Sequence, residues 1–140
     1  MIMSQRLPRK GITGASDVAA LYRKFIGDRM EHQEVLAVLT LNTKLDALAL
    51  TVLNVGTITQ SLCSSAALFR EVFTRPGCAS MILIHNHPSG YTDPSPEDID
   101  LTVRINQMCE LMGNEISLLD HVIVTAGSHY SLAERRQGGF

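Results

Sequence analysis

The 140-residue sequence predicts a single α/β domain in which a mixed β-sheet is flanked by about three helices. Two observations carry that prediction. Segments with apolar residues spaced at three and four alternate along the chain with short runs that are apolar almost throughout. At 45% apolar, the chain can also fill one core of ordinary size but has no room for a second. There are no internal repeats and no low-complexity tract, and the alternation implies a layered structure with some antiparallel neighbours.

Residues 1–14, with Pro8, Gly11, Gly14 and several basic residues, show no periodicity and read as an N-terminal tail, so that the domain is expected over residues 15–140. Ser16 or Asp17 can cap a first helix with Val18, Leu21, Tyr22, Phe25 and Ile26 on one side, ending near Gly27. The run Val35-Leu36-Ala37-Val38-Leu39-Thr40-Leu41 is too continuously apolar for an exposed strand. Asn42-Thr43-Lys44 supplies a turn, and residues 45–55 return as the hairpin partner. Gly56 breaks the pattern, and Ser64 or Ser65 can cap a second helix with Ala67, Leu68, Val72 and Phe73 as its buried stripe. After Arg75-Pro76-Gly77, residues 79–85 form a strand apolar on both faces and therefore central. A third helix starts at Ser95 with Pro96 in its first position, carries Leu101, Ile105, Met108 and Met112 on one side, and stops at Gly113. Residues 116–124 and 128–132 read as two further strands around a turn at Ala126-Gly127.

Composition narrows the function classes. The formal net charge is -2 and the basic residues are scattered, so charge does not indicate a nucleic-acid partner. Cys63, Cys78 and Cys109 are odd in number and lack any C-x-x-C, which argues against a disulfide framework or a cysteine metal cage. No stretch reaches membrane-spanning length and residues 1–10 lack a signal-peptide core, so the expectation is a cytoplasmic protein with no membrane partner. Oligomeric state is not legible.

Chemistry concentrates after the central strand. His85 and His87 lie two residues apart on an extended segment, which points both imidazoles to one side and Asn86 to the other. Asp98, eleven positions after His87 and brought back by a Pro/Gly-rich turn, can supply a third ligand and leave a fourth tetrahedral position for water, as a catalytic zinc requires. Ser95-x-x-Asp98 is equally a capping box in miniature, and the two roles of Asp98 are compatible.

These residues, His85-x-His87-Pro88 followed by Ser95-x-x-Asp98, resemble the JAMM or MPN+ metalloprotease motif. The longer string from His85-Asn86-His87-Pro88-Ser89-Gly90 to Pro94-Ser95-Pro96-Glu97-Asp98-Ile99-Asp100-Leu101-Thr102 is similar to the RadC-like branch of that JAB-domain family. Leu39-x-Leu41-Asn42, Gly56-Thr57, Arg70-Glu71-Val72-Phe73 and Leu119-Asp120-His121 extend the resemblance over roughly residues 31–132. It implies an MPN/JAB-type, cytidine-deaminase-like fold, one zinc ion bound by His85, His87 and Asp98, and a glutamate acting on the bound water. Position in the sequence alone does not separate Glu34 from Glu31 and Glu71; the resemblance selects Glu34, at the opening of the first apolar strand. It further implies that Ser95 helps to hold a developing oxyanion, and that the reaction is hydrolysis of a peptide, isopeptide or amide bond in a peptide or protein substrate.

Asn86 stands where ubiquitin-cleaving members have a small hydroxyl residue, so ubiquitin is not carried over. Asp120-His121 reads either as a pair orienting a metal ligand or as a satisfied polar pair. His32 and His129 read as surface residues, and Cys63 has no adjacent base to make it a nucleophile. Two other functions compete: a DNA-repair-associated, metal-dependent nuclease, suggested by the RadC name, and a non-catalytic MPN interaction module. A deaminase is conceivable on grounds of fold, but its H-x-E and P-C-x-x-C signature is missing.

Overall fold

The computed structural model describes residues 4–7, 11–56 and 62–140, apart from the side chains of Arg6, Leu62, Cys63 and Ser64. Its elements are β1 (Ser4–Arg6), α1 (Ala15–Ile26), a 3₁₀ segment (Gly27–Glu31), β2 (Val35–Leu41), β3 (Ala47–Val55), α2 (Leu62–Thr74), β4 (Ser80–Asn86), α3 (Pro96–Leu111), β5 (Ser117–Val124) and β6 (His129–Ser131). They make a mixed α/β domain around one six-stranded sheet in the order β1-β3-β2-β4-β5-β6. β4 and β5 are parallel and joined through α3, whereas the other four neighbouring pairs are antiparallel.

Every residue of β2 and of β4 is buried, as expected for strands covered on both faces. The two-residue period then sorts their side chains. Val35, Ala37, Leu39, Leu41, Ile82 and Ile84 pack with Val18, Ala19 and Tyr22 of α1. Leu36, Val38, Met81 and Leu83 pack with Leu68 and Val72 of α2 and with Leu101, Ile105 and Cys109 of α3. α1 therefore covers one face of the sheet, and α2 and α3 cover the other.

Four details depart from the sequence reading. The segment expected to be a tail contributes Ser4–Arg6 as an edge strand on β3. Three residues are too few to show a period, and the pairing of Leu7 N–H with the Leu48 carbonyl extends the contact. α1 starts at Ala15 behind Gly14, so Ser16 and Asp17 lie inside it; the Asp17 carboxylate accepts from the Thr13 amide at 2.9 Å and the Thr13 hydroxyl at 2.5 Å. α2 begins at Leu62, which puts Ser64 and Ser65 within the helix, and its stripe runs through Leu68, Phe69 and Val72 while Phe73 is 59% exposed. On α3 the four-residue spacing from Leu101 through Ile105 reaches Cys109, leaving Met108 at the margin and Met112 at the C-cap.

Truncating a buried side chain and an exposed one should separate these assignments. Leu39→Ala, at a position with 0% exposure, should cost about 2–5 kcal/mol in chemical denaturation. Phe73→Ala should stay within about 0.5 kcal/mol of the parent.

Candidate metal centre

Four side chains meet at the carboxyl end of β4. His85 is the penultimate residue of that strand and pairs with Leu36 of β2. His87 follows one residue beyond the strand, with its backbone N–H still bonded to the Val124 carbonyl at 3.3 Å. Glu34 immediately precedes β2 and, two residues before Leu36, has the same side-chain parity. Asp98 sits in the first turn of α3, where Ser95 is the N-cap: the Ser95 hydroxyl accepts from the Asp98 N–H at 3.1 Å, and the Asp98 carboxylate accepts from the Ser95 N–H at 2.8 Å. The capping box read from the sequence is present, with Pro96 in the first turn.

One donor atom from each of Glu34, His85, His87 and Asp98 lies within 4.8 Å of all the others, an arrangement that could hold a metal ion. His85 Nε2 is 2.9 Å from His87 Nε2 and 3.2 Å from Asp98 Oδ1, and His87 Nε2 is 3.3 Å from Asp98 Oδ2. A tetrahedral ion with ligands at roughly 2.0–2.1 Å has ligand atoms about 3.3 Å apart, close to each of these separations, with Asp98 turning Oδ1 to His85 and Oδ2 to His87. Glu34 Oε1 stands further off, at 4.0 Å from His85 Nε2 and 3.9 Å from His87 Nε2. The side chains of His85 and Asp98 are 0% and 2% exposed, against 15% for His87 and 23% for Glu34, so the cluster opens on the Glu34 side. Burial pushes the Asp98 carboxyl up, but hydrogen bonds to His85 and His87 outweigh it and hold the group well below the usual carboxylate range. His87 is raised, chiefly by its hydrogen bond to Asp98.

Both histidines are fixed through their other ring nitrogen. His87 Nδ1 lies 2.9 Å from the Tyr91 carbonyl, which can only accept, so Nδ1 carries the hydrogen, and the neutral ring that a metal requires presents its lone pair at Nε2. His85 Nδ1 lies 2.7 Å from Nε2 of His121. With His85 Nε2 acting as a ligand, His85 Nδ1–H donates to His121 Nε2. His121 Nδ1–H then donates to Thr102 Oγ1 at 2.6 Å, and the Thr102 hydroxyl donates to the Asp98 carbonyl at 2.6 Å. The chain runs from one candidate ligand to another without a break. It needs a neutral His121, and burial, the largest cause, drives that pKa well below its ordinary value.

The Asp120-His121 pair therefore divides. His121 orients His85, whereas Asp120 accepts from the Ser131 hydroxyl at 2.6 Å, the Ala133 N–H at 3.0 Å and the His121 N–H at 2.7 Å, away from the cluster. Glu31 is exposed at the end of the 3₁₀ segment, and Glu71 of α2 pairs with Arg75 just beyond that helix, so neither competes with Glu34 for the site. His32 is exposed and His129 is half-buried on β6. Thr57 and the Cys63 side chain lie outside the described residues, while Cys78 and Cys109 are free thiols. Three contributors were not singled out in the sequence: Thr102, Tyr22 and, as more than a spacer, Asn86. For Thr102 the available signal was its place four residues after Asp98, which puts both on one side of α3.

The sequence model of one known family, the RadC-like JAB domain, matches residues 12–138. The chain belongs to that family. A UPF0758 protein of Trichormus variabilis is 45% identical over 104 residues, 74% of this chain and 42% of the relative. Another from Acaryochloris marina is 39% identical over 124 residues, covering 88% and 50%, and one from Shouchella clausii is 38% identical over 130 residues, covering 93% and 54%. The chain thus spans about half the length of the curated relatives it matches. Family membership and the His/His/Asp/Glu cluster together point to a metal-dependent hydrolase family. Among the described residues no helix is long and apolar enough to cross a membrane.

The hydrogen-bond chain behind His85 should show in metal affinity. Thr102→Val keeps the shape of the side chain but removes the hydroxyl, and it should weaken metal binding about 10-fold or more in a chelator competition, with His121→Gln weakening it further. Asp120 gives a pH test that avoids the cluster. Burial raises its pKa, so folding favours the protonated form and the folded state gains stability as pH falls toward the ordinary value near 3.8. Relative to Asp120→Asn, the parent should therefore become more stable on acidification from neutral pH toward pH 4, as read by urea denaturation of both proteins.

Proposed function

We propose that this domain is a zinc-dependent hydrolase that cleaves a peptide, isopeptide or other amide bond in a cytoplasmic peptide or protein substrate. The observation that supports this reading best is the graded spacing of the cluster. The two histidine Nε2 atoms stand 2.9 Å apart and each has an Asp98 carboxylate oxygen within 3.2–3.3 Å, Oδ1 facing His85 and Oδ2 facing His87, whereas the Glu34 carboxylate stands 3.9–4.0 Å from the histidine nitrogens. That offset suits a proton-transferring group beside a ligand set better than a fourth ligand. Two imidazoles and one carboxylate are a donor set that suits zinc.

His85 Nε2, His87 Nε2 and the Asp98 carboxylate would hold the ion. When bound, zinc supplies a water that ionises at a pH of about 7 and a positive charge to polarise a carbonyl. Glu34 takes up the proton of the attacking water on its carboxylate and delivers it to the departing amine, so the amide and one water become a carboxylic acid and an amine. Its partial exposure lets that proton reach a substrate atom. Ser95 already accepts a hydrogen bond from the Asp98 amide, which leaves its hydroxyl hydrogen to donate to the developing oxyanion. His121 and Thr102 keep the His85 ring in place through turnover.

The test combines metal analysis with cleavage. The parent protein should hold one zinc per chain, and Asp98→Ala should lose it. Glu34→Gln should keep the zinc while cleavage in a peptide-library screen falls by about 10²–10⁴-fold. A parent protein that binds no zinc would sink the reading, and undiminished cleavage by Glu34→Gln would remove Glu34 from the mechanism. Cutting of DNA in place of peptides would favour a nuclease.

A further inference from the structure

Asn86, between the two histidines, points to the other side of β4 and is completely buried. All four hydrogen-bonding capacities of its carboxamide are used. Its Oδ1 accepts from the Tyr22 hydroxyl at 2.6 Å and from the Val35 N–H at 2.9 Å. Its Nδ2 donates to the Met30 carbonyl at 2.8 Å and to the Gln33 carbonyl at 2.8 Å. Two donors face the oxygen and two acceptors face the nitrogen, so the network admits only one orientation of the amide.

This network holds the backbone around Glu34. Gln33 C=O and Val35 N–H are the groups immediately before and after that residue, and both are tied to one side chain. Two further groups lie close by: the Glu34 carbonyl accepts from Gly56 N–H at 2.8 Å, and the single hydrogen of the Tyr22 hydroxyl is shared between Asn86 Oδ1 and the Val35 carbonyl, 2.5 Å away. Glu34 stands one residue outside β2, where the strand ladder has ended and no helix has begun. The Asn86 carboxamide is thus the link that ties Gln33 C=O and Val35 N–H to β4.

We propose that Asn86 is a positioning residue for Glu34. It ties the peptide groups on either side of that carboxylate to the strand that carries His85 and His87, so the base and the ligand pair move as one body. The proposal rests on the role of Glu34 as the proton-transferring group, and it assigns a task to the residue between the histidines: its two neighbours address the metal while it addresses the base. A shorter side chain at this position cannot span both Gln33 C=O and Val35 N–H, and an aspartate would set a carboxylate against the Met30 and Gln33 carbonyls.

The experiment uses the whole chain loaded with cobalt(II), whose visible spectrum reports the surroundings of the ion, and compares the parent with Asn86→Ser, Glu34→Gln and the double variant. The expected result is close to one cobalt per chain in all four. The Asn86→Ser spectrum should shift to that of Glu34→Gln, and the double variant should add nothing further. A parent-like Asn86→Ser spectrum overturns the proposal, and so does a shift that adds to that of Glu34→Gln, because Asn86 would then act on the ligands directly. Tyr22→Phe removes one hydrogen bond to Asn86 Oδ1 without emptying the site, and should move the spectrum in the same direction by less; no movement counts against the proposal. Amide hydrogen exchange gives a reading without metal. Val35 N–H should exchange at least 10-fold faster in Asn86→Ser than in the parent while Val38 and Leu39 keep their protection, and unchanged Val35 exchange overturns the clamp. A parent protein that takes up no cobalt would refute the metal reading alone, and the exchange result would still decide the clamp.

Discussion

The two-residue period of β4 is the constraint on which the site and its support both depend. Because both faces of the strand are covered, each polar side chain at its end is buried and must find partners within the protein. On the α3 face, His85 finds His121, Asp98 and His87. On the α1 face, Asn86 finds Tyr22 and three backbone groups, the Met30 and Gln33 carbonyls before β2 and the N–H of its first residue, Val35. A slip of one residue in the β2–β4 register would exchange these environments, placing a carboxamide among imidazoles and imidazoles among carbonyls. The register is thus held by polar matching as well as by the flanking Leu36, Val38, Leu83 and Ile84.

Asp98 joins the start of a helix to the centre. Its amide donates to the Ser95 hydroxyl and its carboxylate accepts from the Ser95 N–H, while the same carboxylate faces both histidines. The helix N-terminus and the imidazoles favour the same charged form, which is why burial fails to protonate it. The cap and the candidate metal centre therefore share one electrostatic arrangement, and the position of α3 on the sheet is coupled to the geometry of the site.

Much of this was legible in the sequence because it depends on local spacing. His85, His87, Ser95 and Asp98 lie within fourteen consecutive positions, and strand alternation plus a capping box fix their mutual placement. The order and type of the long elements followed from the same kind of pattern. The features that escaped depend on contacts between distant segments. The Tyr22 hydroxyl sits on an apolar helical stripe and looks like core until Asn86, 64 residues later, is brought beneath it. Glu34 could not be separated from Glu31 and Glu71 by position, since the distinction lies in which strand end meets β4. The edge strand Ser4–Arg6 is too short for any period, and the place of Phe73 outside the core goes with the start of α2 ahead of its serines.

The orienting role of His121 rests on a further irregularity that no periodic pattern contains. Along β5, Leu118 packs against the α2 and α3 side, whereas Val122 and Val124 pack against α1. Strict alternation would send residues 118, 122 and 124 to one face, so one residue must be extra between them. It is found where the pairing with β4 jumps, with Met81 opposite Leu118 but Ile82 opposite Asp120. This bulge reverses the parity of the residues beyond it, turning His121 toward His85 and leaving Asp120 to Ser131 and Ala133 on the other side. Without it the same sequence would present Asp120 to the back of His85. A carboxylate there would add a negative charge where the structure places a neutral imidazole and a hydroxyl, so the bulge decides the charge behind the centre as well as its geometry.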